Sequence, residues 1–394
     1  MLTVVIRNLS WIGAGSHIIQ LSNYLVNVSY RGQTGIIRSM IRTAGPEERD
    51  AWNKLVLENP DGGHIYQTQE WGEYKAQYDW RPERLAWEGG KERVYFQALV
   101  KNAPGFGTIW YIPKGPGIFA HYKSDKAQMA AFKALTKELA LYIKKHDSKA
   151  FMLMVEPEIY DDELKPKQAG YLKSVHDLQF RATIIVDIDK DDDALLASFK
   201  QKTRYNIRLA TKKGVTIEKR DATDEMVDEM YKLMGDTQGR AGFYLRPKHA
   251  FKSYWQSFAR AGMGQFFVAV HEGEVLAAEY AMIFGAKAYY KEGGSSGAKR
   301  NLMAPYLLQY EVMRWAREKG AKEYDLIAVP PKDQLNPEHH MYGLYQFKSG
   351  FNQEITQFVG CWELPLKAGV YGRWQKAEPL FHKLYSRIKR NIFW

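Results

Sequence analysis

Two stretches of this 394-residue chain carry the same order of elements, and no other feature limits its fold as much. In the first, the turn Glu88-Gly89-Gly90 leads into a strand at 93–101, followed by a strand at 108–112. A helix rich in Ala, Leu and Lys comes next over 124–145, then a strand at 150–155. In the second, Glu272-Gly273-Glu274 turns into a strand at 275–284, with another strand at 286–292. A Gly/Ser loop, a helix at 305–319 and a strand at 323–329 complete it. Hairpin, loop, helix, strand, twice over, predicts two copies of one α/β unit rather than one large sheet. Pro305 suits a first helical turn and Gly320 closes that helix. Leu308, Val312 and Trp315 repeat at helical spacing, so that face is core.

Apolar residues make up 45% of the chain, as in folded globular proteins and unlike disordered ones. The formal charge of +11 calls for an anionic partner, whether RNA, nucleotide phosphate or an acidic membrane face. Charge alone does not choose among these. The single cysteine, Cys361, excludes a disulfide framework and any Cys-based metal site, which fits a reducing cytoplasm. Residues 1–46 hold no acid; the first is Glu47. Their apolar runs, 2–6 and 18–25, are broken by Arg7, Gly13, Gly15 and His17 and are too short to span a membrane. An acid-poor, Arg-bearing leader of this kind can be read as a targeting peptide.

Several segments carry charge in informative places. Residues 342–351 read Tyr-Gly-Leu-Tyr-Gln-Phe-Lys-Ser-Gly-Phe and set Lys348 among Tyr345, Phe347 and Phe351. Burying a lysine there is costly unless its charge is used; the alternative is a strand lysine that reaches solvent. In Gln69-Glu70-Trp71-Gly72-Glu73-Tyr74-Lys75, Trp71 and Lys75 share one helical face. Arg246 precedes Pro247, which bars it from helical geometry. A helix over 200–215 puts Lys202, Arg208 and Lys212 in a basic band, with Gly214 as its cap. Such bands are usually solvated, and contact with RNA phosphates is the minority alternative. Lys114, in Tyr111-Ile112-Pro113-Lys114-Gly115-Pro116-Gly117, sits at a stiff strand exit that an anion can face. Glu156 is an acid just past a strand, suited to position an amine or equally to sit in an exposed turn. Tyr289, Tyr290 and Glu292 border the loop by which an acceptor would enter, with tyrosine in the core as the plain alternative.

No His-Glu-x-x-His, Walker or dinucleotide-binding motif is present, and His339-His340 lacks a spaced acid, so no metal site is expected. The C-terminal stretch repeats Leu380, Phe381, Leu384, Tyr385, Ile388 and Ile392 at helical spacing, with Lys383, Arg387, Lys389 and Arg390 between. That pattern suits a helix on an anionic membrane or one docked on the first domain.

Three ordered blocks, 200–215, 304–326 and 343–351, resemble the FemABX-type Fem family. These are peptidoglycan bridge-forming aminoacyltransferases that move an amino acid from aminoacyl-tRNA to a cell-wall precursor. The likeness covers 40–365: Gly-Leu-Tyr-x-Phe-Lys-x-Gly-Phe around Lys348, Arg-Tyr-Asn-Ile-Arg-x-Ala-x-x-x-Gly-Val from Arg204, and Gln-x-x-x-Trp-x-x-x-Lys near Lys75. Because the likeness starts only near Met40, it implies that residues 1–39 are an appendage from an upstream start codon. The strand-loop-helix passage also resembles N-acetyltransferase (GNAT) domains. Its loop at 293–303 lacks the Arg/Gln-x-x-Gly-x-Gly/Ala run that coenzyme A requires.

The resemblance implies an α/β (α+β) chain of tandem GNAT-like acyltransferase domains. The first would occupy 40–185 plus 355–394, the second 186–354, without the helical arm of longer members. It implies transfer to a stem-peptide amine of a UDP-MurNAc-pentapeptide or lipid-linked muropeptide. Aminoacyl-tRNA would be co-substrate, with no cofactor and no metal, in a cytoplasmic monomer that touches the inner membrane face. Lys348 and Phe347 would be catalytic. Lys75 and Arg246 would hold the diphosphate, and Tyr290, Tyr345 and Glu156 would bind substrate. A tyrosine four residues beyond the arginine in relatives is Ala250 here, which removes or replaces that contact. The alternatives are a GNAT-shell acyltransferase using CoA or a carrier protein, and an inactive tRNA- or membrane-binding adaptor. The amino acid transferred is not legible.

Overall fold

In the computed structural model, residues 26–30, 33–37, 40–89, 92–163, 165–241, 245–389 and 393 are described. Gly90, Tyr244, Arg390, Ile392 and Trp394 lie outside them, as does most of the predicted appendage. Within the latter, Val26–Tyr30 and Gln33–Ile37 form an antiparallel pair.

Two sheets organise the chain. The first has seven strands in the order Met40–Thr43, Trp80–Gly89, Glu92–Ala103, Gly107–Pro113, Ala150–Glu156, Trp362–Pro365, Leu172–Lys173. The second has six, in the order Ile185–Asp187, Glu323–Asp325, Lys287–Ser295, Glu274–Phe284, Gly264–His271, Thr216–Arg220. Each contains the predicted unit. An antiparallel hairpin is followed by a helix, Lys126–His146 or Ala304–Glu318, and the next strand pairs parallel to the hairpin's second strand. A parallel neighbour requires a crossover of this kind, which explains the fixed order of elements.

Alternation along the strands sorts side chains into layers. Val94, Phe96 and Ala98 face the helix Lys126–His146, whereas Tyr95 and Leu99 face the second domain. Likewise Phe267 and Ala269 face the helix Ala304–Glu318, whereas Phe266 and Val268 face the first domain. The inner faces share one aromatic core in which Trp52, Trp71 and Tyr74 meet Tyr254, Trp255 and Tyr280. Two helices, Gln69–Ala76 and Lys248–Arg260, carry much of that junction. Lys75 and Arg246, two of the site residues expected from sequence, lie on or beside these helices.

Three local expectations change. Residues 342–348 form a helix, so Lys348 is a helical rather than a strand lysine. The strand read at 323–329 ends at Asp325, because Ile327 and Ala328 take positive φ of 49° each. The loop read from 293 begins later, since Gly293 and Gly294 belong to the strand Lys287–Ser295. Gly294 lies against the helix Asp224–Ala241 so closely that a Cβ would sit 2.5 Å from the Leu233 carbonyl carbon. The C-terminal helix Ala368–Lys389 docks on the first domain, where Trp374 packs against Phe106 and Phe151 at 5.2 and 5.7 Å.

Candidate active site

Lys75 anchors the first of two charged clusters. Thr68 caps its helix by accepting from the Trp71 amide at 3.2 Å, which satisfies an otherwise orphan donor. Trp71 stacks on Tyr66 (4.3 Å) and Tyr74 meets Tyr254 edge-on (5.1 Å), tying the helix to both domains. Lys75 is half-buried, its ammonium 5.2 Å from the Trp80 ring and 5.9 Å from Trp71. Burial, together with the positive charges of Lys101, Arg246 and Lys291, lowers its pKa to about 7. Arg246 donates to the Tyr74 hydroxyl at 2.9 Å and lies over Phe251 at 5.0 Å. Pro247 caps the helix Lys248–Arg260 and so fixes Arg246 at its entrance. Ala250 is buried in the core.

Lys291 reaches this cluster because of an irregularity. Tyr280 pairs with Glu292 and Ala281 with Tyr290, leaving Lys291 as the extra residue of a β-bulge. Bulges re-aim side chains. Here the ammonium lies 5.7 Å from Tyr66 and 5.8 Å from Tyr254, paired with Glu292 at 3.2 Å. Sequence reading missed it, since an unpaired strand residue has no local signal.

The second cluster lines a crevice between the domains, bordered by His64, Lys114, Tyr289, Asp325, Ile327 and Ala328. Behind it, buried Glu158 meets Lys287 at 2.9 Å, His64 at 3.6 Å and Lys114 at 3.8 Å. Burial opposes its charge, but these partners outweigh that and hold its pKa near 2. His64 is pushed to about 3 by burial, with Lys114 and Lys287 overcoming the pull of Glu158, so it is neutral. Only Lys114 of this network was singled out from sequence. The others are joined by tertiary packing.

Lys348 is 3% exposed and donates to the carbonyls of Ile327 and Ala328, the latter at 3.0 Å. These are the two residues with positive φ, so the lysine pins the strained wall of the crevice. Its ammonium also lies 5.4 Å from the Tyr290 ring. Burial lowers its pKa to about 7, against the pull of Asp325 and Glu279. Asp325 accepts from Thr183 and from the Ile327 amide (2.7 Å), and burial raises its pKa. Glu279, in contact with Gln309 and Tyr324, is pushed by burial up to about 8.

The structure thus brings Lys75 together with Arg246, and Lys348 together with Tyr290. Other candidates lie elsewhere. Glu156 is buried rather than in an exposed turn, and accepts from the Tyr111 hydroxyl and from the amides of Leu178 (2.9 Å) and Gln179 (3.1 Å). Its bonding capacity serves the first sheet. Phe347 packs on Tyr306 at 5.0 Å and Phe351 at 5.5 Å, in the outer core of the second domain. Tyr345 is half-buried beside Tyr342 at 6.0 Å.

Comparison with known proteins agrees with this architecture. The FemAB family pattern matches residues 48–177, 167–271 and 264–378. A lipid II:glycine glycyltransferase of Staphylococcus aureus (strain MRSA252) is 25% identical, over 88% of this chain and 97% of that protein. The protein of the same name from Staphylococcus haemolyticus (strain JCSC1435) is 24% identical over the same shares. The crystal structure of FemX superposes with a TM-score of 0.71, at 24% identity, over 84% of this chain and 98% of that one.

Proposed function

The chain belongs to the FemAB family, and from that premise we propose that it is an aminoacyltransferase of peptidoglycan bridge formation. Aminoacyl-tRNA is the donor and the stem-peptide amine of a diphosphate-bearing muropeptide the acceptor. The carrying observation is the convergence of Lys75, Arg246 and Lys291 at the domain junction, where burial first, and then the positive charges of Lys101, Arg246 and Lys291, lower the pKa of Lys75. An anion relieves that repulsion, and a diphosphate offers oxygens to both a guanidinium fork and the ammonium groups. The net charge of +11 is in keeping with two anionic substrates.

The reaction forms an amide from an ester that is already activated, so positioning and charge stabilisation matter more than a covalent nucleophile. The acceptor amine attacks the ester carbonyl in the crevice, and the tRNA ribose oxygen leaves. Lys348 stabilises the developing oxyanion or that leaving oxygen. The attacking amine loses a proton, and Asp325, which borders the crevice with a raised pKa, is a better-placed base than Glu156. UDP-linked and lipid-linked precursors share the diphosphate, and the likeness to lipid II glycyltransferases favours the lipid-linked form.

The test is transfer from a pool of charged tRNAs to UDP- and lipid-linked pentapeptides, with products read by mass. A mass increment that RNase abolishes is expected and identifies the amino acid. An increment insensitive to RNase would overturn the tRNA donor in favour of a carrier-dependent acyltransferase.

A further inference from the structure

We propose that the outer face of the C-terminal helix, Ala368–Lys389, lies on an anionic lipid surface. The helix has two unlike faces. On the inner one, Trp374 is 1% exposed and packs on Phe106 and Phe381, while buried Glu378 meets His382 at 3.3 Å and His176 at 3.6 Å. On the other face, Arg373, Lys376, Leu380, Lys383, Leu384 and Arg387 are all exposed. Spacings of three and four place these residues along one stripe, about 21 Å long at helical rise.

Two properties of the stripe identify the partner. It is purely cationic: the one acid between 368 and 389 is Glu378, which is buried on the opposite face. At its centre stand two leucines in successive turns, Leu380 at 62% and Leu384 at 47% exposure. A phosphate backbone alone gives leucines nothing to bury against. A lipid interface takes apolar side chains below the headgroups and meets the flanking cations at the level of the phosphates.

The inner face ties this surface to the Lys75 cluster. Tyr385 and Phe393 lie 5.6 and 5.0 Å from the Lys101 ammonium, which shares the Trp80 ring with Lys75. One aromatic layer separates the helix from the cations. With the helix on the membrane, that cluster sits near the plane of lipid headgroup phosphates, where a lipid-linked diphosphate emerges. This last consequence rests on the function proposed above; the lipid-binding face does not.

Sedimentation of the full chain with vesicles tests the face without any acceptor or tRNA. The wild type is expected to bind mixed phosphatidylglycerol–phosphatidylcholine vesicles and not phosphatidylcholine alone. Leu380→Ser with Leu384→Ser should weaken binding about tenfold. Lys376→Gln, Lys383→Gln and Arg387→Gln should each weaken it about fivefold. Leu141→Ser, at a 52% exposed leucine on the helix Lys126–His146, should change nothing. Absence of wild-type binding, or unchanged binding in both sets of variants, would overturn the proposal. So would glutamine variants that lose tRNA binding and keep vesicle binding, which would make the face an RNA surface.

Discussion

Lys75 and Lys348 are depressed to the same pKa of about 7 and by the same leading cause, burial, yet their surroundings differ. Around Lys75 the other charges that bear on it are positive. Around Lys348 they are the acids Asp325 and Glu279, and two backbone carbonyls accept its hydrogen bonds. At the first site Glu292 is paired with Lys291, and Lys75 is left facing positive charges that an incoming anion would offset. At the second, burial outweighs the pull of the neighbouring acids, and the lysine is held by the two carbonyls of the crevice wall. A shifted pKa therefore marks both sites, and its causes separate a group that binds from a group that is preorganised.

The largest effect that sharpens this contrast is expected at Lys348. Lys348→Met should lower kcat by about 10²- to 10³-fold, the scale of losing an oxyanion donor, with the fold intact by circular dichroism. Near-wild-type turnover would remove Lys348 from the chemistry. Asp325→Asn should lower kcat by about 10²-fold and flatten the acidic limb of the pH–rate profile. A change in KM alone would reassign Asp325 to binding. Lys291→Met should raise KM for diphosphate-bearing acceptors about tenfold while kcat holds, a split that steady-state kinetics reads directly.

Stability adds a smaller, independent check. Unfolded, Lys348 titrates near the ordinary lysine value of about 10.4, whereas in the fold it titrates at about 7. Between those values the unfolded chain binds more protons, so this lysine makes the protein more stable as pH rises from 7 toward 10. Urea unfolding should show Lys348→Met lacking that increment; an identical pH slope would mean the lysine is not buried as described. Glu156→Gln should cost about 1–3 kcal/mol by weakening a buried acceptor, and leave kcat within about twofold. A large loss of turnover there would return Glu156 to the active site.

The repeated unit was legible because every piece of it has a local signature: a Gly turn, a strand, a helix with one apolar face, a strand. The crevice was not. Its wall depends on Ile327 at positive φ, which a β-branched residue rarely adopts and no sequence rule would propose. Lys348 was noticed through its aromatic and glycine neighbours, but the same neighbours suggested a strand where the chain forms a helix. Lys75 and Arg246 stood out through family likeness, and only the fold reveals that Tyr74 joins them. Lys291 depends on a bulge, and Glu158 on partners from distant segments. Glu156 and Glu158, two residues apart around Pro157, are both buried and do different work, a distinction set by the loop 177–179 and by Lys287 rather than by anything local.

The most direct test of the account is how Lys75 affects recognition of the diphosphate. KM should be measured for an acceptor with the diphosphate and for the same muropeptide without it, in the wild type and in Lys75→Met. The account predicts that the wild type prefers the diphosphate acceptor, that Lys75→Met raises its KM by about 10- to 100-fold, and that the diphosphate-free acceptor is unaffected. Wild-type KM for the diphosphate acceptor should also rise as pH passes 7, since the neutral lysine binds it less well, and Lys75→Met should lose that rise. An equal loss on both acceptors, or a loss in kcat alone, would contradict it.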